Sequence, residues 1–305
     1  MTAHPLTTDG AVELAHVERS GFIESSHLGA AVVVDLDGSV LLSRGDASAV
    51  IYPRSALKPL QATAVLSTGV DLHGPALGLA TASHSGTAAH VDVVERMLAL
   101  AHLTDEALGC PTSWPDDSAA RTAAEHPRRI TMTCSGKHAG FLAASVHAGW
   151  STGDYLERGH PLQQVVASTV EEHAHESIAH WGVDGCLAPT PALSLSGFAR
   201  AFGSAVAGSP GLLEAVRADP WTIDGPGTTD TVLIERTGFF VKTGAEGIIG
   251  IAVPGKGTAV VKVLDGSKRP AAAVALTLLE RAGMLEGAAE LAALVSDSGV
   301  RVTAG

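Results

Sequence analysis

Apolar runs and their spacing divide the chain into elements before any motif is considered. Ala30-Ala-Val-Val-Val-Asp35 and Val40-Leu-Leu-Ser43 flank an Asp-x-Asp-Gly turn, which predicts a hairpin between Gly29 and Arg44. Ser55 to Ser67 is rich in Ala, Leu and Gln and carries Pro59 in its first turn, a helix pattern. Val91, Val94, Leu98 and Ala101 recur at helical spacing within a predicted helix from Val91 to Leu103. Lys137 to His147 reads as a helix ending at Gly149, and His160 to Ala174 as one opened by Pro161. Ser196 to Ala207 and Gly211 to Ala218 read as helices too. Residues 110–130 and the Gly/Pro-rich 183–192 read as loops.

Thr231 to Thr243, Gly247 to Val253 and Thr258 to Leu264 read as three successive strands, and Ala271 to Ala282 as an amphipathic helix. The early hairpin and the late meander are expected to join in one antiparallel sheet. Helices would cover that sheet, with a helical insertion between its halves, an α+β layout. No internal repeat or low-complexity linker interrupts this, so residues 1–305 are expected to form a single domain, with polar residues 1–10 frayed.

Composition narrows the partners. With 46% hydrophobic and 17% charged residues, a 305-residue chain can bury an ample core. A net charge of -12 argues against nucleic acid, which needs a basic surface. No basic stretch leads into an apolar run near the start, and no apolar segment is long enough to span a bilayer, so a cytoplasmic protein with no membrane partner is expected. Three cysteines favour free thiols or metal ligands over a disulfide framework. Asparagine is absent and lysines number six, which codon bias in a GC-rich genome explains; four of those lysines fall in candidate motifs.

Ser55 and Lys58 stand three apart, on one side of a helix. A neutral amine beside a hydroxyl makes a nucleophile for acyl transfer, which requires Lys58 to be desolvated. The plain alternative is a capping serine and a solvated lysine. Lys242-Thr243-Gly244 follows late in the chain, and this order is that of penicillin-binding proteins and serine β-lactamases. Their intervening Ser-x-Asn element cannot exist in a chain without asparagine.

Ala82-Ser83-His84-Ser85-Gly86 is a polar turn that offers a second hydroxyl or a proton carrier, or simply leads into the next helix. Cys134 and Cys186 could bind zinc with a histidine or carboxylate completing the set, or be two buried small hydrophobes; no Cys-x-x-Cys pair decides it. His173-Ala-His175 lies among glutamates and reads as a solvated face.

Taken in order, these segments resemble the bacterial L-asparaginases of the Rhizobium etli type, from about Phe22 to Arg269. The markers are Glu24-Ser-Ser-His27, Arg54-Ser55 with Lys58-Pro59-Leu60-Gln61, Ala82 to Gly86, Cys134 to Gly140, His160-Pro161 with Gln163, Asp184-Gly185-Cys186, Lys242 with Gly244 to Gly247, and Lys262 with Asp265-Gly266. The resemblance implies a fold like serine β-lactamases and glutaminases, hydrolysis of L-asparagine to L-aspartate and ammonia, and a homodimer. It implies two Ser–Lys pairs, Ser55 with Lys58 and Ser83 with Lys262. It also implies substrate contacts from Arg54, His84, Asp184, Lys242, Gly244 and Glu246, and a Zn2+ ion held by Cys134, Lys137 and Cys186 that positions substrate. A glutaminase or other small-amide hydrolase, a penicillin-recognising acyltransferase and a non-catalytic zinc-binding protein are the alternatives. The chain departs from the family pattern at Thr87, at Thr133 and in the loop from Gly225 to Thr231.

Overall fold

The computed structural model describes residues 4–303. Val12–Arg19 (β1) and Phe22–Asp35 (β2) form a hairpin turned by Ser20 and Gly21, both at positive φ. Val40–Arg44 (β3) returns along β2, and the Asp35 carboxylate takes the N–H groups of Asp37 and Ser39 to close the turn. The predicted hairpin is therefore present, with β2 longer than its apolar run and β1 unforeseen. After Val50–Ile51 (β4) come helices Lys58–Ser67 (α1), Gly74–Ala80 (α2), Ala88–Leu100 (α3), Ser118–Ala123 (α4), Ser135–His147 (α5) and Pro161–Ala174 (α6). His180–Val183 (β5) and Pro189–Ser194 (β6) precede Leu195–Gly208 (α7), Pro210–Ala218 (α8) and Thr229–Thr237 (α9). Phe240–Gly244 (β7), Ile248–Val253 (β8) and Gly257–Val263 (β9) form the meander, and Ala271–Arg281 (α10), Ala288–Val295 (α11) and Val300–Val302 (β10) complete the order.

The early and late strands join as expected. The main sheet runs β10-β1-β2-β9-β8-β7, with β3 paired to β2. Its centre is the antiparallel β2–β9 pair, from Gly29 opposite Val263 to Asp35 opposite Gly257. Every residue of β8 is buried, so both sheet faces are covered. On one face Phe202 of α7 packs where Gly250 has no side chain, and Gly203 faces Thr258; α10 packs against β9 and β8 as well. Helices α1 to α6 form the insertion.

Three expectations need correction. Residues 231–243 are not one strand. Asp230, Thr231, Leu233 and Ile234 are buried at helical spacing, Gly238 ends α9 in the left-handed conformation, and only then does β7 begin. A short β-branched run does not distinguish strand from helix; the cap residues do. The 183–192 loop contains most of β6, which pairs with β5 and β4 in a three-stranded sheet. Pro189 and Pro191 lie where β6 has β5 as its sole partner, so no ladder bond on the second side is lost. The 110–130 loop holds α4, capped by the Asp117 side chain. Of the segment expected to fray, residues 1–3 lie outside the described residues; from His4 onward the chain is tied to Val50 and Asp46. No helix among the described residues is long and apolar enough to cross a membrane.

Candidate active site

Ser55 lies in a 3-10 turn, Arg54–Leu57, that runs directly into α1. Arg54 enters that turn at φ +50°, a strained conformation for a residue with a side chain. Lys58 opens α1 with 2% of its surface exposed. It is not the solvated lysine of the plain reading. Burial pushes its pKa below the ordinary lysine value, against the pull of Cys134, and Lys242 and Lys137 push the same way. The Lys58 amine hydrogen-bonds the Ser83 hydroxyl at 2.8 Å and donates to the Ala82 carbonyl. The Ser55 hydroxyl, half-buried, has no hydrogen-bond partner among the described residues.

Ser83 and Ser85 are held by backbone bonds. Ser83 N–H donates to Ile223 O at 2.9 Å, His84 N–H to Thr133 O at 2.9 Å and Ser85 N–H to Asp224 O at 2.5 Å. His84 itself is fully buried. Its Nδ1 accepts from Gly86 N–H, so Nε2 carries the proton and donates to Ser135 Oγ at 2.8 Å, while Ser135 donates to Ile130 O. Burial, with His90 stacked 5.1 Å away, keeps His84 neutral. The structure thus places His84 as a brace beneath the serine turn rather than on its accessible face.

The Lys242-Thr243-Gly244 strand reaches the same place from the other side. A Cβ at Gly244 would lie 2.9 Å from Pro53 O and 3.1 Å from Ala56 N, so β7 touches the Ser55 turn through bare backbone. Lys242 and Asp230, both wholly buried, form an ion pair at 2.9 Å. The Asp230 carboxylate also accepts Thr243 N–H (3.0 and 3.1 Å) and Thr243 Oγ1–H (3.1 Å), and Lys242 donates to Thr243 O at 2.8 Å. Sequence reasoning missed Asp230 because it placed this segment at a loop–strand boundary. The signal was physical: a lysine on a buried strand requires a carboxylate.

Lys262 lies on β9 opposite Ile248 and Ala30. Its amine donates to Glu246 O at 2.6 Å and to Val263 O rather than to Ser83, so the implied Ser83–Lys262 pair is not joined. Glu246 is exposed, in the β7–β8 turn at φ +63°. Burial lowers the Lys262 pKa, opposed by Glu246 and Asp265.

Cys134, Lys137 and Cys186 do come together. Cys134 precedes α5, Lys137 lies in its first turn, and Lys137 Nζ is 3.0 Å from Cys186 Sγ. All three are buried and the cysteines are free thiols. A hydrogen bond from Cys186 holds the Cys134 thiol well below its ordinary pKa, against burial and with help from Lys58 and Lys137; the same bond and burial push Cys186 up. Among the described residues no group of three His, Cys, Asp or Glu side chains is placed to hold a metal ion, so this donor set depends on the lysine. Two sulfurs and a nitrogen nevertheless suit zinc with an open fourth position. Above them Arg54 clamps Asp184 through Nε (2.9 Å) and Nη2 (2.8 Å). Burial alone would raise Asp184, but Arg54 and Gly185 N–H outweigh it and hold the carboxyl low.

The fold and this cluster define a class: an α+β protein that gathers two serine hydroxyls, three buried amines and two thiols where an antiparallel sheet meets its helical insertion. The L-asparaginase II family model matches residues 15–303, and the chain belongs to that family. It is an asparaginase-type amidohydrolase. No curated protein matches significantly. Among solved structures it is similar to a β-lactamase from Mycobacterium bovis (15% identity, TM-score 0.41, 84% of this chain and 95% of that one). It is also similar to Mglu (14% identity, TM-score 0.36, 85% of this chain and 68% of that one) and to Mglu in its glutamate form (14%, 0.36, 85% and 62%).

Proposed function

We propose that the protein hydrolyses L-asparagine to L-aspartate and ammonia through an acyl-enzyme on Ser55, and that it is of the Rhizobium etli type. The observation that carries this reading is Lys58, a buried amine held below its ordinary pKa and bonded to Ser83 at 2.8 Å. Ser55 Oγ attacks the side-chain amide carbon and its proton passes to neutral Lys58, directly or through Ser83. Backbone N–H groups of Ser55 and of the strand around Gly244 hold the oxyanion. The proton returns to the leaving nitrogen, ammonia departs, and water, deprotonated by the same amine, releases aspartate. Arg54 offers the substrate carboxylate its guanidinium, with Asp184 fixing that side chain.

Cys134, Lys137 and Cys186 would hold a zinc ion, which supplies a Lewis-acid anchor for the substrate. The two cysteines raise Lys137 above its ordinary value despite burial, so the metal must displace a proton there.

The test is ammonia release from L-asparagine and L-glutamine, with and without a zinc chelator, by the wild type and Ser55→Ala. We expect release from asparagine, a loss of at least a thousandfold in the variant, and an aspartyl adduct on the Ser55 peptide after acid quench. A faster rate on glutamine moves the reading to a glutaminase. Near-normal turnover by Ser55→Ala overturns the nucleophile assignment.

A further inference from the structure

L-Asparagine carries an α-ammonium as well as a carboxylate and an amide, and a low-dielectric site that accepts the cation needs an anion not already spent. Two carboxylates near the serines are spent: Asp184 on Arg54 and Asp230 on Lys242. Asp224 is different. No lysine, arginine or histidine among the described residues forms an ion pair with it within 4 Å.

Its position follows from the backbone. Segment 223–224 is strapped to 83–85 by the Ser83 N–H to Ile223 O and Ser85 N–H to Asp224 O bonds. Burial alternates across this strap: His84 and Ile223 are fully buried, whereas Ser83, Ser85 and Asp224 are half-buried. Asp224 is therefore half-buried on a segment bonded directly to the serine turn. Gly225 keeps the strap tight, since a Cβ there would collide with Ser85 Oγ.

Resting on the asparaginase reading, we propose that Asp224 binds the α-ammonium of the substrate and so selects amino-acid amides over plain acid amides. Burial and the neighbouring Asp230 raise its pKa to about 6, against Lys242, Lys268 and the Thr228 hydroxyl. A bound ammonium relieves both costs and keeps the carboxylate charged.

The experiment compares L-asparagine with succinamate, the same amide without the amino group, for wild type and Asp224→Asn. We expect the variant to raise KM for asparagine at least tenfold with kcat changed less than threefold, and to leave succinamate kcat/KM unchanged or higher. Equal losses on both compounds, or none, overturn the assignment. A second readout needs no variant: L-aspartate should compete with asparagine at least tenfold better than succinate, and equal competition overturns the proposal. No ammonia from either amide with the wild type overturns the amidase reading itself, and this assignment with it.

Discussion

Lys242 and Asp230 are a charged pair with no exposed side-chain surface. Lys242→Met removes one charge and leaves Asp230 buried with the Thr243 N–H and hydroxyl for company. Breaking one side of a buried pair costs about 3–5 kcal/mol. Against a total stability of roughly 5–15 kcal/mol, that is a large share. For a chain of this size the thermal midpoint should fall by on the order of 10 °C. Asp230→Asn should cost a similar amount, because it strands the ammonium instead. The double variant holds no stranded charge, and the amide oxygen introduced by Asp230→Asn still accepts Thr243 N–H. It should therefore lose about 1–2 kcal/mol, less than either single change. Urea unfolding of the four proteins measures this directly. A double variant that loses the sum of the two singles would refute the idea that these charges exist to neutralise each other.

Three further outcomes are expected. Between the ordinary carboxyl value of 3.8 and about 6, the folded protein holds the Asp224 proton more tightly than the unfolded chain does, so this group's contribution to stability falls as pH rises through that window. Asp224→Asn should flatten the fall and gain on the order of 1 kcal/mol at neutral pH after allowance for partial exposure; an unchanged pH–stability curve by calorimetry argues against the raised carboxyl. Gly244→Ala drives a methyl toward Ile248 Cγ2 (2.5 Å) and Pro53 O (2.9 Å), so it should cost about 1–3 kcal/mol and lower kcat; an unchanged midpoint in a melting curve would show that β7 yields freely. Lys58→Arg puts a permanently protonated group where the reaction needs a neutral amine, so ammonia release should drop at least a thousandfold while circular dichroism checks that the variant is folded, and turnover near the wild-type level in the folded variant would remove Lys58 from proton transfer.

Much of the sheet was legible because its strands obey local rules. The Val-rich run of β2 and the Asp-Gly turn at its end are self-contained signals, as are the helix-opening prolines of α1 and α6. Segment 231–243 was misread because its β-branched run outweighed the glycine that ends a helix: Gly238 stops α9, and the chain then returns as β7 to bring Lys242 to Asp230. The site divided along the same line. That Ser55, Lys58, Lys242 and Gly244 converge was readable from motif order. That Lys58 reaches Ser83, and that Lys262 stays with its own hairpin, depends on how α2 and the insertion set the serine turn across from α1, which no local pattern records.

The pairing of β2 with β9 sets terms for the birth of the protein. Asp35 waits for Gly257, so the Val-rich strand β2 leaves the ribosome long before its partner exists. Meanwhile β1 and β3 can form a provisional three-stranded ribbon with it, while one edge stays open through synthesis of the whole helical insertion. Such distant contacts fold slowly and leave an unpaired edge prone to joining a neighbouring nascent chain. Yield in a recombinant host should therefore respond to growth temperature and chaperone supply more than to changes in the site, since the vulnerable species is an incomplete chain and not the finished enzyme.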